Sequence, residues 1–275
     1  MMPRPSAHMR YAAGITGLVA AAGCSSDNVT TPPTFTPTAV VTFDQLKAAL
    51  TTAVGSPTPS GNGGFSLNMW ATVVDRTGVV VAVAYTGAKE GDQWPGSRVI
   101  SAQKANTANA FSLPGLALST ANLYAATQPG GSLFGLQEAN PINEDAAYGG
   151  NAASYGTPQD YMVGKRIGGT NVFGGGFPLY DASGTIVGGV GVSGDASCAD
   201  HNIGWKVRFN LKLDHVPAGV ADAGKDDNII YDIDASGKSA SGFGHPVCDN
   251  PPAPASPTSM QNIGVHLPVT FPIGN

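Results

Sequence analysis

Two windows of β-branched, aromatic and small apolar residues are each broken in the middle by a polar turn. In the first, Leu67-Asn-Met-Trp-Ala-Thr-Val-Val74 and the run Val79 to Tyr85 flank Asp75-Arg-Thr-Gly78. In the second, Phe177-Pro-Leu-Tyr180 and the run Thr185 to Val192 flank Asp181-Ala-Ser-Gly184. Both read as β-hairpins, with glycine where the turn tolerates positive φ. Glycine weakens a strand, so Gly188, Gly189 and Gly191 predict the close approach of another backbone, a helix or a ligand.

Helical periodicity appears between and around the hairpins. Thr42-Phe-Asp-Gln45 is a capping-box pattern that opens a short helix through Leu46 and Leu50. Ser97 is a candidate N-cap for a helix from Arg98 to Phe111. On it Ile100, Lys104, Thr107, Ala108 and Phe111 share one side, and Ala102 and Ala105 keep it slim enough to lie on a sheet. Pro114 stops it. A second helix is expected over 116–126, and residues 200–211 read as a closing helix or a strand. Residues 140–160, rich in Asn, Gly and Tyr, read as a long surface insertion. Beyond residue 211 the chain is a loop-rich extension with two candidate strands, at 228–233 and 265–271.

The N-terminus changes the picture of where this chain works. Arg4 and Arg10 precede an apolar run from Tyr11 to Gly23 that is too short to span a bilayer, the layout of an export signal over residues 1–23. It ends in Ala21-Ala-Gly-Cys24, similar to the lipobox of bacterial lipoproteins. That resemblance implies lipidation of Cys24 and, with Ser25 after it, an outer-membrane address in the cell envelope. Plain secretory cleavage is the alternative. Residues 24–41 form a Thr/Pro-rich tether, extended and unable to pack a core. The domain proper is expected over 42–211.

Composition agrees with export. Charged residues make up only 12 % of the 275, and 37 glycines with 21 prolines indicate a loop-rich chain. The formal charge of −5 comes with no basic block, which excludes a nucleic-acid partner. Setting Cys24 aside leaves Cys198 and Cys248. An even pair in an oxidising compartment points to a disulfide, with two buried free thiols as the alternative.

The order of parts also carries a family resemblance. Val73-Val-Asp-Arg-Thr-Gly78, the helix Ala102-Gln-Lys-Ala-Asn-Thr-Ala-Asn-Ala-Phe111, Gly174-Gly-Gly-Phe-Pro-Leu179 and Ile186-Val-Gly-Gly-Val-Gly-Val-Ser-Gly194 together resemble the GlcG/HbpS family of haem-binding proteins. The resemblance covers residues 42–210. It implies an α/β (α+β) domain, profilin-like, with an antiparallel and roughly five-stranded sheet covered by helices. It also implies homo-oligomers and haem, or another small planar or acidic ligand. Where members commonly continue with an acidic Gln-Asp-Glu segment, this chain reads Ser193-Gly-Asp-Ala-Ser-Cys-Ala-Asp-His201.

Against that background His201 is the candidate axial ligand to haem iron, with Asp200 beside it to orient the ring. Its alternative is an exposed histidine in the first turn of a helix. Lys104 is the candidate partner of a haem propionate, or else a lysine that buries its stem and leaves its ammonium at the sheet edge. Phe111, Phe177 and Ser193 complete the expected ligand-binding set. His215 and His245 read as surface residues. The glycine loop 168–176 lacks the Lys-Ser/Thr ending of a phosphate loop, so close turn packing is its expected role. Asp232-Ile-Asp-Ala-Ser-Gly237 places phenylalanine where a calcium loop needs its twelfth ligand, and reads as a hairpin turn. No Gly-x-Ser-x-Gly elbow or His-Glu-x-x-His motif argues for a hydrolase. Two rivals remain beside haem binding: a sensory or protein-interaction module, and an enzyme of small hydroxy-acid metabolism.

Overall fold

The computed structural model describes residues 40–55, 61–248 and 267–274. The expected signal segment, the tether through residue 39 and Cys24 lie outside the described residues. Helix α1 (Phe43–Val54) starts on the expected capping box: the Thr42 side chain accepts from the Gln45 N–H, and Gln45 Oε1 accepts from the Thr42 N–H at 2.8 Å. Strands β1 (Trp70–Asp75) and β2 (Val80–Tyr85) form the first hairpin, and helix α2 (Ser97–Phe111) follows. Ser97 is the first residue of α2 rather than its cap; Gly96 holds the N-cap position without a side-chain bond.

The helix expected over 116–126 is instead a 3₁₀ turn at Thr120–Leu123 running into a single turn, α3 (Tyr124–Thr127). After the short helix α4 (Glu144–Tyr148) come β3 (Gly176–Tyr180), β4 (Ile186–Ser193) and α5 (Ser197–Asn210).

All strand pairs are antiparallel, in the order β2-β1-β4-β3. The sheet has four strands among the described residues, where about five were expected. The segment 228–233 is extended but contributes only the isolated bridge Ile233–Ser239, and residues 267–270 form a helical turn rather than a strand.

Alternation along the strands sorts the side chains into two layers. Ala71 and Val73 of β1, Phe177 and Leu179 of β3, and Val190 and Val192 of β4 share a core with α1 and α5, including Leu46, Leu50, Ile203 and Trp205. Burial of Leu46 and Leu50, both fully inaccessible, contributes about 1.5–3 kcal/mol each. On the opposite face Trp70, Val74, Val80 and Val83 pack with Val99, Ala102 and Ala105 of α2.

The strand glycines do what their positions predict. A Cβ on Gly191 would stand 2.0 Å from the Ser101 carbonyl oxygen, and one on Gly189 2.4 Å from that of Ala105. Only glycine lets α2 lie this close. The glycine loop is likewise packed: a Cβ on Gly174 would meet the Ser197 carbonyl at 2.4 Å, and one on Gly176 the Lys104 carbonyl at 2.6 Å.

The insertion at 140–160 is anchored, not loose. Ala146, Ala147 and Met162 cover the α2 side of the sheet, and Arg98 forms a buried ion pair with Asp160 while its guanidinium lies over the Tyr155 ring. The extension past residue 211 is anchored by a second buried pair, Arg208 with Asp227, joined by two bonds of 2.7 Å.

Candidate functional site

The N-terminal half of α2, the end of β4 and the start of α5 converge on a cleft of about 270 Å³. It is lined by Trp94, Ser97, Ile100, Lys104, Phe173, Ser193, Asp195, Ser197 and Asp200. Lys104 lies at its floor, brought there by the slim alanine face of α2. Its ammonium donates to Asp200 Oδ2 at 2.7 Å and to the Val192 carbonyl at 3.1 Å, and lysine and aspartate are both buried. Asp200 Oδ1 accepts from the Asp195 N–H at 2.9 Å. Burial pushes the Asp200 carboxyl up to about 7, against the pull of the Lys104 charge. Thus Lys104 does meet a carboxylate, but the chain supplies it. Ser193 donates to Ser97 Oγ at 3.2 Å across the cleft wall.

A second hollow, about 230 Å³, adjoins the first and shares Phe173 and Ser197 with it; Tyr124, Ala196 and the segment His245-Pro-Val-Cys248 supply the rest. His245, expected at the surface, is 98 % buried here, since only 2 % of it is accessible. Its Nδ1 lies 2.7 Å from the Pro246 carbonyl, which can only accept, so Nδ1 carries the proton and Nε2 a lone pair. That Nε2 accepts from the Ser197 hydroxyl at 2.8 Å, and Ser197 Oγ in turn accepts from the Gly174 N–H at 2.7 Å. Burial lowers the His245 imidazolium to about 4, so the ring is neutral near pH 7. The expected disulfide joins Cys198 to Cys248 with Cα atoms 6.1 Å apart, and holds the His245 segment on α5.

His201 is elsewhere. Helix α5 begins at Ser197, so His201 falls in its second turn and faces the interior. It is fully inaccessible, packed against Phe177 with ring centroids 4.7 Å apart and ring planes tilted by 53°. Its Nε2 lies 3.1 Å from both Asn228 Oδ1 and the Ile229 N–H, the latter donating to it or to Asn228. Burial depresses it to about 3. It lines neither hollow, so the expected axial ligand and its exposed alternative are both replaced by a neutral core histidine capped by the extension.

Phe177 is likewise core, beneath His201, Trp205 and the Arg208 guanidinium. Phe111 packs with Leu118, Leu123 and Val172, away from the cleft. Of the five residues expected to bind a ligand, the fold brings Lys104 and Ser193 to the cleft. Trp94, Phe173 and His245 line the two hollows without having been expected there. His245 had a usable signal: it stands three residues before Cys248, so pairing Cys248 with Cys198 carries it to the start of α5. A larger hollow of about 490 Å³, between α1 and the end of α5, has Lys212 as its only titratable lining residue.

Comparison with known proteins adds a family. The sequence model described as "Haem degrading protein HbpS-like" matches residues 65–207, about half of the chain. No curated protein sequence matches significantly. Among solved structures, the chain is similar to a PduOC:heme complex at 21 % identity, with a TM-score of 0.41, covering 61 % of this chain and 89 % of that one. It is similar to the Klebsiella pneumoniae protein ORFY, of family DUF336, at 21 % identity, with a TM-score of 0.43, covering 68 % and 97 %. HbpS gives 17 % identity and a TM-score of 0.37, covering 66 % and 94 %.

Proposed function

Because the chain belongs to the HbpS-like family, we propose that it binds haem in the paired hollows beside Phe173, with His245 as the imidazole that holds the iron. One observation carries the reading. Two accessible aromatic side chains, Trp94 (51 % exposed) and Phe173 (48 % exposed), line the same continuous surface as an imidazole whose tautomer is already fixed.

The donor set fits the group. A flat apolar macrocycle gains from aromatic walls, and binding sites of this kind combine such walls with a few placed polar groups. His245 presents Nε2 as an unprotonated nitrogen, bonded here to the Ser197 hydroxyl, and anchors Nδ1–H on a carbonyl, the support that orients metal-bound histidine. Holding iron requires Ser197 to turn its hydroxyl away from Nε2. Ser97, Ser193 and Ser197 offer hydroxyls for the propionates, and Lys104 behind them is held by Asp200. When bound, haem would supply a redox-active iron at this site. The chain's own part is to orient the imidazole, cover one face of the ring and offer hydroxyls to the carboxylates.

Haemin titration of the mature domain tests this, read as the Soret band. A saturable shift is expected in the wild type and in His201→Gln, and its loss or displacement in His245→Ala. No saturable shift at micromolar protein would sink the proposal.

A further inference from the structure

The Cys198–Cys248 disulfide closes over a third group whose placement its stapling role does not require. The sulfurs of Cys198 and Cys248 and a ring nitrogen of His245 all lie within 4.8 Å of one another. We propose that, once the disulfide is reduced, Cys198, Cys248 and His245 form a binding site for a borderline-soft d¹⁰ cation of the zinc type.

Three features of the surroundings support a metal site rather than a bare thiol pair. First, the Nδ1–H of His245 is fixed on the Pro246 carbonyl, so the nitrogen left to coordinate is the unprotonated Nε2. Second, the first turn of α5 presents its positive end to both sulfurs. Cys198 is the second residue of α5, at the positive end of the helix dipole, and its backbone N–H donates to Cys248 Sγ at 3.1 Å. Third, Ser197 Oγ lies 2.8 Å from Nε2 and lines the adjoining hollow, leaving a fourth position for its hydroxyl or a water. Two thiolates and an imidazole with one open place are a zinc donor set. The dication also cancels the two thiolate charges, which lets this cluster, with Cys198 and His245 buried and Cys248 half-buried, accept them.

The chemistry balances. A dithiol donates two electrons and two protons to the Cys198–Cys248 bond and is itself oxidised to a disulfide, leaving two thiols. Metal binding then releases both thiol protons to solvent. The oxidised and metal-bound forms are mutually exclusive, each fastens the His245 segment to α5, and the cation occupies the Nε2 that haem iron would otherwise use.

Cobalt is the spectroscopic probe, added to the whole mature protein without haem. With a phosphine reductant, one equivalent of Co²⁺ is expected to produce thiolate-to-metal charge-transfer absorption and visible tetrahedral bands, both discharged by Zn²⁺. The oxidised protein should show neither, and reduced His245→Ala should bind at least about tenfold more weakly. Far-UV circular dichroism of the reduced protein is recorded before and after metal. Absence of the one-to-one charge-transfer band overturns the proposal. So does equal binding by the oxidised protein or by reduced His245→Ala, or a reduced protein that loses its helices and does not recover them with Zn²⁺.

Discussion

Replacing Lys104 with methionine keeps most of the side-chain volume and removes the only cation bonded to Asp200 among the described residues. The carboxylate would then be left in the floor of the cleft with one backbone donor, the Asp195 N–H. Breaking a buried ion pair from one side costs about 3–5 kcal/mol when the remaining charge stays ionised; Asp200 can instead take up a proton, which limits the loss to about 2.5–3.5 kcal/mol at pH 8. The cost depends on pH, and its sign follows from Asp200. Its folded pKa, raised to about 7 by burial, lies above its unfolded value. The native state therefore holds the proton more tightly, and the stability this contributes is present at acid pH and lost as pH rises through about 7. Without Lys104 the folded pKa rises further, so the mutational loss grows on the alkaline side. Near pH 5, where Asp200 is protonated in both proteins, only a neutral-acid hydrogen bond and the Val192 contact are lost, about 1–2 kcal/mol. Urea unfolding of wild type and Lys104→Met at about pH 8 and pH 5 measures both values. A loss below about 1 kcal/mol at pH 8, or one equal at the two pH values, would refute the burial and pairing inferred here. The double variant Lys104→Met/Asp200→Leu should recover most of the stability.

Two further outcomes follow from the same structure and a third from the sequence around Cys24. Cys248→Ser opens a loop whose ends are 50 residues apart, and should cost about 4 kcal/mol in equilibrium unfolding on the chain-entropy account; an unchanged midpoint would contradict the staple. Gly191→Ala puts a Cβ 2.0 Å from the Ser101 carbonyl and should cost about 3 kcal/mol or more, whereas Gly96→Ala, with open space around it, should be nearly silent; comparable melting temperatures would show that α2 is not held this close. Labelled palmitate should enter the wild-type protein in a bacterial host and be absent from Cys24→Ala, and equal labelling would remove the lipid anchor.

Local physics made much of this fold legible. The capping box at Thr42 and Gln45, the two hairpin turns and the alanine-rich face of α2 are short-range signals, and each element formed where its residues pointed. Gly189 and Gly191 announced a close neighbour, and that neighbour is α2. The site was less legible because its parts come from far apart. A helix beginning at Asp200 would put His201 in its first turn and leave it accessible. Starting the helix at Ser197 turns that ring toward Phe177. The stretch 214–248 has no periodicity to reveal that Asp227 neutralises Arg208, or that Asn228 caps His201. Asn- and Gly-rich composition made 140–160 look like loose surface, and only the long-range pair Arg98–Asp160 shows otherwise. Polar residues that carry a fold through distant partners leave no pattern in their own neighbourhood.

The most direct test of the haem reading is the position of the iron in a crystal of the haemin complex, located by anomalous scattering at the iron edge. An iron peak is expected at His245 Nε2, with the porphyrin against Phe173 and Trp94. An iron bound by any other residue, or a macrocycle seated away from these hollows, would contradict it.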